Sequence, residues 1–243
     1  MSRWRPPGWS APWAITATAR CWRRVAAVIN ALRLSLALAV TALLASATTA
    51  ADSTTIAAQL AAKFASVQSW QGRFEQTLFD INGRQQQRVE GEFALQQPNL
   101  IDWRYAAPLN QRLVSDGERI WFYDSDLDQV TVQPLAALLR QSPAAILLGQ
   151  LPPSPDYQVR VEQLSAASGE TVLRYTLDSQ ESGSGSAVAQ LVLDWQGEQL
   201  SAMTSRDNFG QTTVVVFSEV VRDRVIDPHR FMFTPPAGVD VVH

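Results

Sequence analysis

Residues Leu113 to Pro134 constrain the fold more than any other stretch of the chain. They run Leu-Val-Ser-Asp-Gly-Glu-Arg-Ile-Trp-Phe-Tyr123, then Asp-Ser-Asp-Leu-Asp-Gln-Val-Thr-Val-Gln-Pro134: three short apolar runs separated by turn chemistry. Asp116-Gly117 supplies the positive-φ position that a tight hairpin needs, and Asp124 to Asp128 supplies the next reversal. Trp121, Phe122 and Tyr123 in succession put bulky rings on both faces of one strand. A half-solvated sheet rarely tolerates that. The pattern predicts a sheet packed on one side with an apolar space on the other, although a strand sandwiched in an ordinary core would carry the same residues.

The first fifty-odd residues stand apart. Residues 1–51 hold Arg3, Arg5, Arg20, Arg23, Arg24 and Arg33, no acid, and the apolar run Leu34 to Ala47. Basic residues, a short apolar run and then small residues form the layout of a secretory signal, and the run is too short to span a bilayer comfortably. Cleavage is expected between 47 and 51, leaving residues 52–243 as one domain with a start near Asp52. The sole cysteine, Cys21, lies upstream of the apolar run, so the exported chain is expected to carry neither a lipid anchor at this residue nor a disulfide. Of 20 Lys and Arg, 14 remain against all 23 acids, a formal charge of −9. Such a surface disfavours nucleic acid and anionic headgroups as partners.

Within the exported part, Thr54 to Gln68 reads as an amphipathic helix, with Ile56, Leu60, Phe64 and Val67 at helical spacing. After Trp70 the period changes to two, and Asn82-Gly83 marks a hairpin. Leu135–Gln141 and Ser142–Gly149 read as two short helices, the second with Pro143 at its first helical position. Strands resume at Tyr157–Leu164, Thr171–Asp178, Val188–Trp195, Leu200–Ser205 and Gln211–Val221. About ten short, mostly antiparallel strands with helices at two places predict a mainly β sheet or part-closed barrel with helices on one side.

Catalytic chemistry is scarce. The exported chain has no cysteine, and its two histidines, His229 and His243, share no helix face, so no His-based metal site and no cofactor is expected. Glu90 and Glu92 share a strand face by parity and are the one candidate carboxylate pair, for a hydrolase; a solvated face explains them as well. Asp124, Asp126 and Asp128 lack the glycine and distal glutamate of a calcium loop, so a turn is the better reading. A non-enzyme is expected.

The apolar side says more. Parity aligns Phe93, Leu95 and Gln97 on one strand, then Ile101, Trp103 and Tyr105 on the next, with Asp102 and Arg104 opposite. Leu173, Tyr175, Leu177 and Leu191, Leu193, Trp195 repeat the pattern. Leu135, Leu138, Leu139, Ile146 and Leu147 could lie over that face. Short helices have little stability of their own, so they would form a weakly fastened cover over an apolar cleft suited to acyl chains. Expected lipid-contacting residues are Phe93, Leu95, Ile101, Trp103 and Phe122 in the cavity, and Leu135, Leu138, Leu139, Ile146 and Leu147 in the lid.

Pro98-Asn-Leu-Ile-Asp-Trp103, Leu113 to Tyr123 and Phe231-Met-Phe-Thr-Pro-Pro-Ala-Gly-Val239 together resemble the outer-membrane lipoprotein carrier family, LolA. The resemblance implies an open, unclosed antiparallel β-barrel with a helical lid, acting as a monomeric periplasmic chaperone in a Gram-negative envelope. Its implied partners are lipoproteins, held by their acyl chains, an inner-membrane ATP-driven release complex and an outer-membrane acceptor. The acceptor shares the architecture but would be lipidated. A periplasmic lipid-binding carrier or sensor on the same fold is the alternative, and a hydrolase using Glu90 and Glu92 comes behind both. The family commonly places an arginine just before Pro-Asn-Leu as a lid latch, where this chain has Gln97. A neutral amide makes weaker bonds than a guanidinium fork, so looser closure, or closure by Arg112 or Arg140, is expected.

Overall fold

A computed structural model describes residues 53–136, 147, 157–165, 169–180 and 188–243. The N-terminal 52 residues, most of the expected lid helices and the Gly-Ser loop at 183–186 lie outside these. Helix α1 is Ser53–Ala65, and it turns Ile56, Leu60 and Phe64 inward, as their spacing requires. Twelve strands follow: β1 Ser69–Phe79, β2 Gln85–Gln96, β3 Leu100–Tyr105, β4 Gln111–Asp116, β5 Arg119–Asp124, β6 Gln129–Pro134, β7 Tyr157–Ser165, β8 Thr171–Ser179, β9 Val188–Gln196, β10 Gln199–Asp207, β11 Thr212–Arg222 and β12 Asp240–Val242.

They form one sheet in the order β12-β6-β5-β4-β3-β2-β1-β11-β10-β9-β8-β7. Every neighbouring pair is antiparallel except β12 with β6, which runs parallel. β12 and β7 are the two edges, so the barrel stays open. Turn chemistry acts as the sequence suggests. Gly83 and Gly117 adopt φ of 73° and 99°, and Asp80 Oδ1 accepts from the amides of Asn82 and Arg84. Asp124 Oδ1 likewise accepts from the amides of Asp126 and Leu127, which makes the Asp124–Asp128 stretch a turn.

The sheet curls around α1, as two hydrogen bonds show. At the helix start, Ser53 Oγ accepts from the Val159 amide of edge strand β7 at 2.9 Å. Near its end, the Phe64 carbonyl accepts from Gln97 Nε2, just past β2, at 3.1 Å. β7 and β2 are six strand steps apart, about 29 Å along a sheet surface. The helix covers the same interval in about 16 Å. The arc is nearly twice the chord, so the sheet must bend toward α1. Rings confirm the curl: Trp70 of β1 and Trp195 of β9 lie 5.8 Å apart across two intervening strands.

Two glycine–aromatic pairs let β1 and β2 bend closely. Gly72 pairs with Phe93, and Phe74 pairs with Gly91. A Cβ on Gly91 would fall 2.5 Å from Phe74 Cζ and collide with the Arg104 carbonyl. A Cβ on Gly72 would meet Ser218 O at 2.9 Å and Phe93 Cε1 at 3.2 Å. Each ring therefore lies over a position where no side chain can stand.

The outer face is sealed separately by the C-terminal segment. Ile226 and Phe231 pack with Ala94 and Leu100, and Phe233 lies 6.3 Å from the Trp121 ring and 5.8 Å from that of Tyr123. The rings of β5 thus divide, Phe122 inward, Trp121 and Tyr123 outward under this tail. Beneath the 3-10 turn Pro228–Phe231, Asp102 is fully buried yet charged. It accepts from Nε of Arg104 at 3.0 Å, of Arg112 at 2.8 Å and of Arg230 at 2.7 Å. Burial alone would raise its pKa, but the three guanidinium hydrogen bonds outweigh that and hold it below the ordinary carboxylate value.

Candidate functional site

The inner face carries the apolar rows that strand parity anticipates. Phe93 pairs with Trp103, Trp103 with Leu113 and Leu113 with Phe122, so these four side chains form one row across β2 to β5. Leu95 pairs with Ile101 in the next row. Phe93, Leu95, Ile101 and Trp103 are buried, and Phe122 is half-buried. Phe74 stacks on Trp103 with centroids 4.1 Å apart, and Phe93 reaches Phe217 of β11 over Gly72 at 5.3 Å. Tyr105, one row along opposite Gly91, stands edge-on to Phe74 at 5.3 Å, its hydroxyl donating to Gln76 Oε1 at 3.2 Å. Burial pushes the pKa of that hydroxyl up.

Of the expected lid residues, Leu135 and Leu147 are buried in the same cluster as α1 and the inner face. Leu138, Leu139 and Ile146 lie outside the described residues, as does Arg140. Leu147, Phe64, Trp70, Leu95 and Gln97 line a partly open space of about 10 Å³, room for roughly one water. Among the described residues, the side chains around that void are closely packed, and Phe64, Trp70, Leu95 and Leu147 are all buried.

Gln97 faces the covered side, but its partner is α1. The bond to the Phe64 carbonyl, together with Gln97 N to the Gln68 carbonyl at 2.9 Å, ties the β2–β3 corner to the helix C-terminus. The Phe64 carbonyl lies in the last turn, where the regular ladder runs out. Its other donor is the Val67 amide at 3.2 Å, so its second lone pair suits a side-chain amide. Arg112, the other latch expectation, is on the opposite face: its guanidinium binds Asp102 and the Arg230 carbonyl and lies 5.8 Å from the Phe233 ring. It is committed to the tail.

Glu90 and Glu92 are exposed on the outer face, opposite Glu75 and Arg73 in register, and away from the apolar rows. Parity found the inner rows but not the crossing of α1, because that crossing depends on Ser53–Val159 and Phe64–Gln97 contacts separated by 106 and 33 residues. Among the described residues no helix is long and apolar enough to cross a membrane.

The arrangement can enclose an apolar guest between a curved sheet and a helix fastened at two points. Comparison with known proteins identifies the family. The family described as outer membrane lipoprotein carrier protein LolA matches residues 65–234. The outer-membrane lipoprotein carrier protein of Methylococcus capsulatus is 34% identical over 176 residues, covering 72% of this chain and 82% of that protein. Its counterpart in Alkalilimnicola ehrlichii is 38% identical over 188 residues, covering 76% and 82%. Among solved structures, the chain is similar to an uncharacterized conserved protein from Thermus thermophilus, with a TM-score of 0.51 at 13% identity over 76% of this chain and 98% of that one. A likeness at that identity concerns the fold alone.

Proposed function

The chain belongs to the outer membrane lipoprotein carrier family, LolA, and on that premise we propose that it is a periplasmic chaperone that shields the acyl chains of lipoproteins against its inner face. In this reading residues 1–51 direct export and are removed, and residues 52–243 carry cargo from an inner-membrane ATP-driven release complex to an outer-membrane acceptor. The protein would act as a monomer and catalyse nothing. The exposed, outward position of Glu90 and Glu92 gives a hydrolase no support.

The observation that carries the proposal is the apolar inner face roofed by α1, whose two ends are held by neutral hydrogen bonds. Each buried methylene is worth about 0.8 kcal/mol, so acyl chains entering this face gain much more than either bond supplies. A neutral hydrogen bond contributes only about 1 kcal/mol net. Parting the helix from the sheet also uncovers Ile56, Leu60 and Phe64, so the acyl chains have to replace that burial as well as the two bonds, and the re-packed helix helps expel them at delivery. Phe93, Leu95, Ile101, Trp103 and Phe122 would line the opened space, with Leu135, Leu138, Leu139, Ile146 and Leu147 closing over it.

The test uses spheroplasts, whose outer membrane is disrupted, incubated with the purified mature protein. Release of a newly made lipoprotein as a soluble one-to-one complex is the expected result. Lipoproteins that stay on the inner membrane would sink the carrier role.

A further inference from the structure

Three buried indole N–H groups, Trp70 Nε1, Trp103 Nε1 and Trp195 Nε1, have no hydrogen-bond partner among the described residues. All three rings belong to the inner-face cluster, while Trp121, the fourth described tryptophan, faces outward. Trp103 has the Tyr105 hydroxyl beside it, close enough to offset part of the upward pressure on that group's pKa. Trp70 and Trp195 have nothing comparable. They are 6% and 0% exposed, so bulk water does not reach them, and the nearest open space is the one-water void that Trp70 borders.

These two rings pack together with Phe64. Centroid distances are 5.7 Å for Phe64–Trp70, 5.3 Å for Phe64–Trp195 and 5.8 Å for Trp70–Trp195. Edge-on stacking offers an indole N–H at best a ring face, a weaker acceptor than an oxygen. A buried donor left unpaired costs about 1–3 kcal/mol, and native proteins keep few of them. Two in contact, on the face that α1 covers, ask for an acceptor that this form of the protein lacks.

The position of Trp70, on which Trp195 stacks at 5.8 Å, indicates which acceptor. Trp70 borders the small void beside Gln97 and Leu147, and the same void is rimmed by Gln68, Ser69 and Gln96. Its lining mixes apolar with polar residues, the chemistry of the junction between a hydrocarbon chain and its headgroup. At that junction every acyl chain carries a carbonyl, as an ester or an amide. Resting on the carrier reading, we propose that the indole N–H groups of Trp70 and Trp195 bind the acyl carbonyl oxygens of the cargo, so that this end of the cavity recognises the linkage as well as the chain. A donor left unpaired when empty and paired when loaded contributes more to binding than one that water had already satisfied, which applies most to Trp195, 0% exposed and away from the void. Lys63, with Nζ 5.1 Å from the Trp195 ring centroid, packs on the same cluster and keeps that ring in place.

The experiment compares two synthetic lipopeptides on the purified mature protein, a diacylglyceryl-cysteine peptide with ester-linked chains and its dialkyl ether analogue of equal length. The expected result is ester binding about tenfold tighter, the effect of one to two net hydrogen bonds. Nitrogen-15 labelled indoles report directly: the Trp70 and Trp195 N–H resonances should move downfield with the ester probe and not with the ether. In Trp70→Phe and Trp195→Phe variants, which retain the ring stacking, ester affinity should fall toward the ether value while ether affinity holds. Equal affinities in the unaltered protein, or an ester preference that survives in both variants, would overturn the carbonyl site and leave the carrier reading standing. Failure of both probes to bind the unaltered protein would overturn the two together.

Discussion

Gln97 Nε2 sits 3.1 Å from the Phe64 carbonyl, and this bond closes the C-terminal end of α1 onto the corner between β2 and β3. The sequence anticipates that Gln97 faces the covered side and a weak latch there; the structure gives it a helix terminus to hold. Removing the amide with Gln97→Ala should raise the local opening equilibrium of α1 about fivefold, the worth of roughly 1 kcal/mol. Hydrogen exchange of amides 62–68 measures this directly. Unchanged exchange would mean that packing alone holds the helix end. Gln97→Arg should slow the same exchange, because a guanidinium adds charge and donors at a helix C-terminus.

Ser53 holds the opposite end through Val159. Ser53→Ala should increase exchange at amides 55–58 and at Val159, by a similar factor, and leave residues 62–68 nearly unaffected. The two variants are far enough apart along the helix to act independently. If both changed the same amides by the same amount, α1 would be lifting as one rigid piece.

Gly91→Ala tests the curl of the sheet. The added methyl would collide with the Arg104 carbonyl and with the Phe74 ring 2.5 Å away, and neither backbone nor packed ring can retreat freely. A loss of about 3 kcal/mol is expected, at the upper end of overpacking effects. Urea unfolding gives the number; a change under about 1 kcal/mol would show that β1 and β2 adjust more easily than their packing suggests.

Asp102 predicts a pH dependence. Its folded pKa lies below its unfolded value near 3.8 because Arg104, Arg112 and Arg230 hydrogen bonds outweigh its burial. A depressed pKa means that the stabilisation is complete above about pH 4 to 5 and drains as pH falls through 3.8 toward the lower folded value. Asp102→Asn removes the charge at every pH and leaves three guanidinium groups crowded together. It should cost about 3 kcal/mol at pH 7 and flatten the stability profile below about pH 4. Limited proteolysis should then cut the segment after Asp223 faster, since Arg230 anchors it. An acid limb as steep as that of the unaltered protein would place the acid sensitivity elsewhere.

Much of the fold was legible because it rests on local pattern. Period-two alternation located β7 through β11 to within two residues at each end, and Asn82-Gly83 and Asp116-Gly117 marked the β1–β2 and β4–β5 hairpins. β12 escaped because three residues so soon after a proline pair carry no period of their own; only the waiting edge of β6 makes them a strand. Three successive rings in β5 predicted one packed face and one facing an apolar space; the packed face is that of Trp121 and Tyr123, covered by Phe233 of the tail. Parity put Asp102 and Arg104 opposite the apolar rows, yet nothing local links them to Arg230, 128 residues on. Contacts set by tertiary approach are invisible to spacing, and the fastening of α1 belongs to that class.

A helix pinned at both ends is a ruler. The 13 residues of Ser53–Ala65 set the width between edge strand β7 and the β2–β3 corner, and with it the calibre of the space that the sheet can enclose when closed. Adding one turn to α1 would reset that width by about 5.4 Å without touching a single residue of the barrel wall. The width of the space under the closed sheet can therefore be retuned through the length of one helix while the sheet stays unaltered.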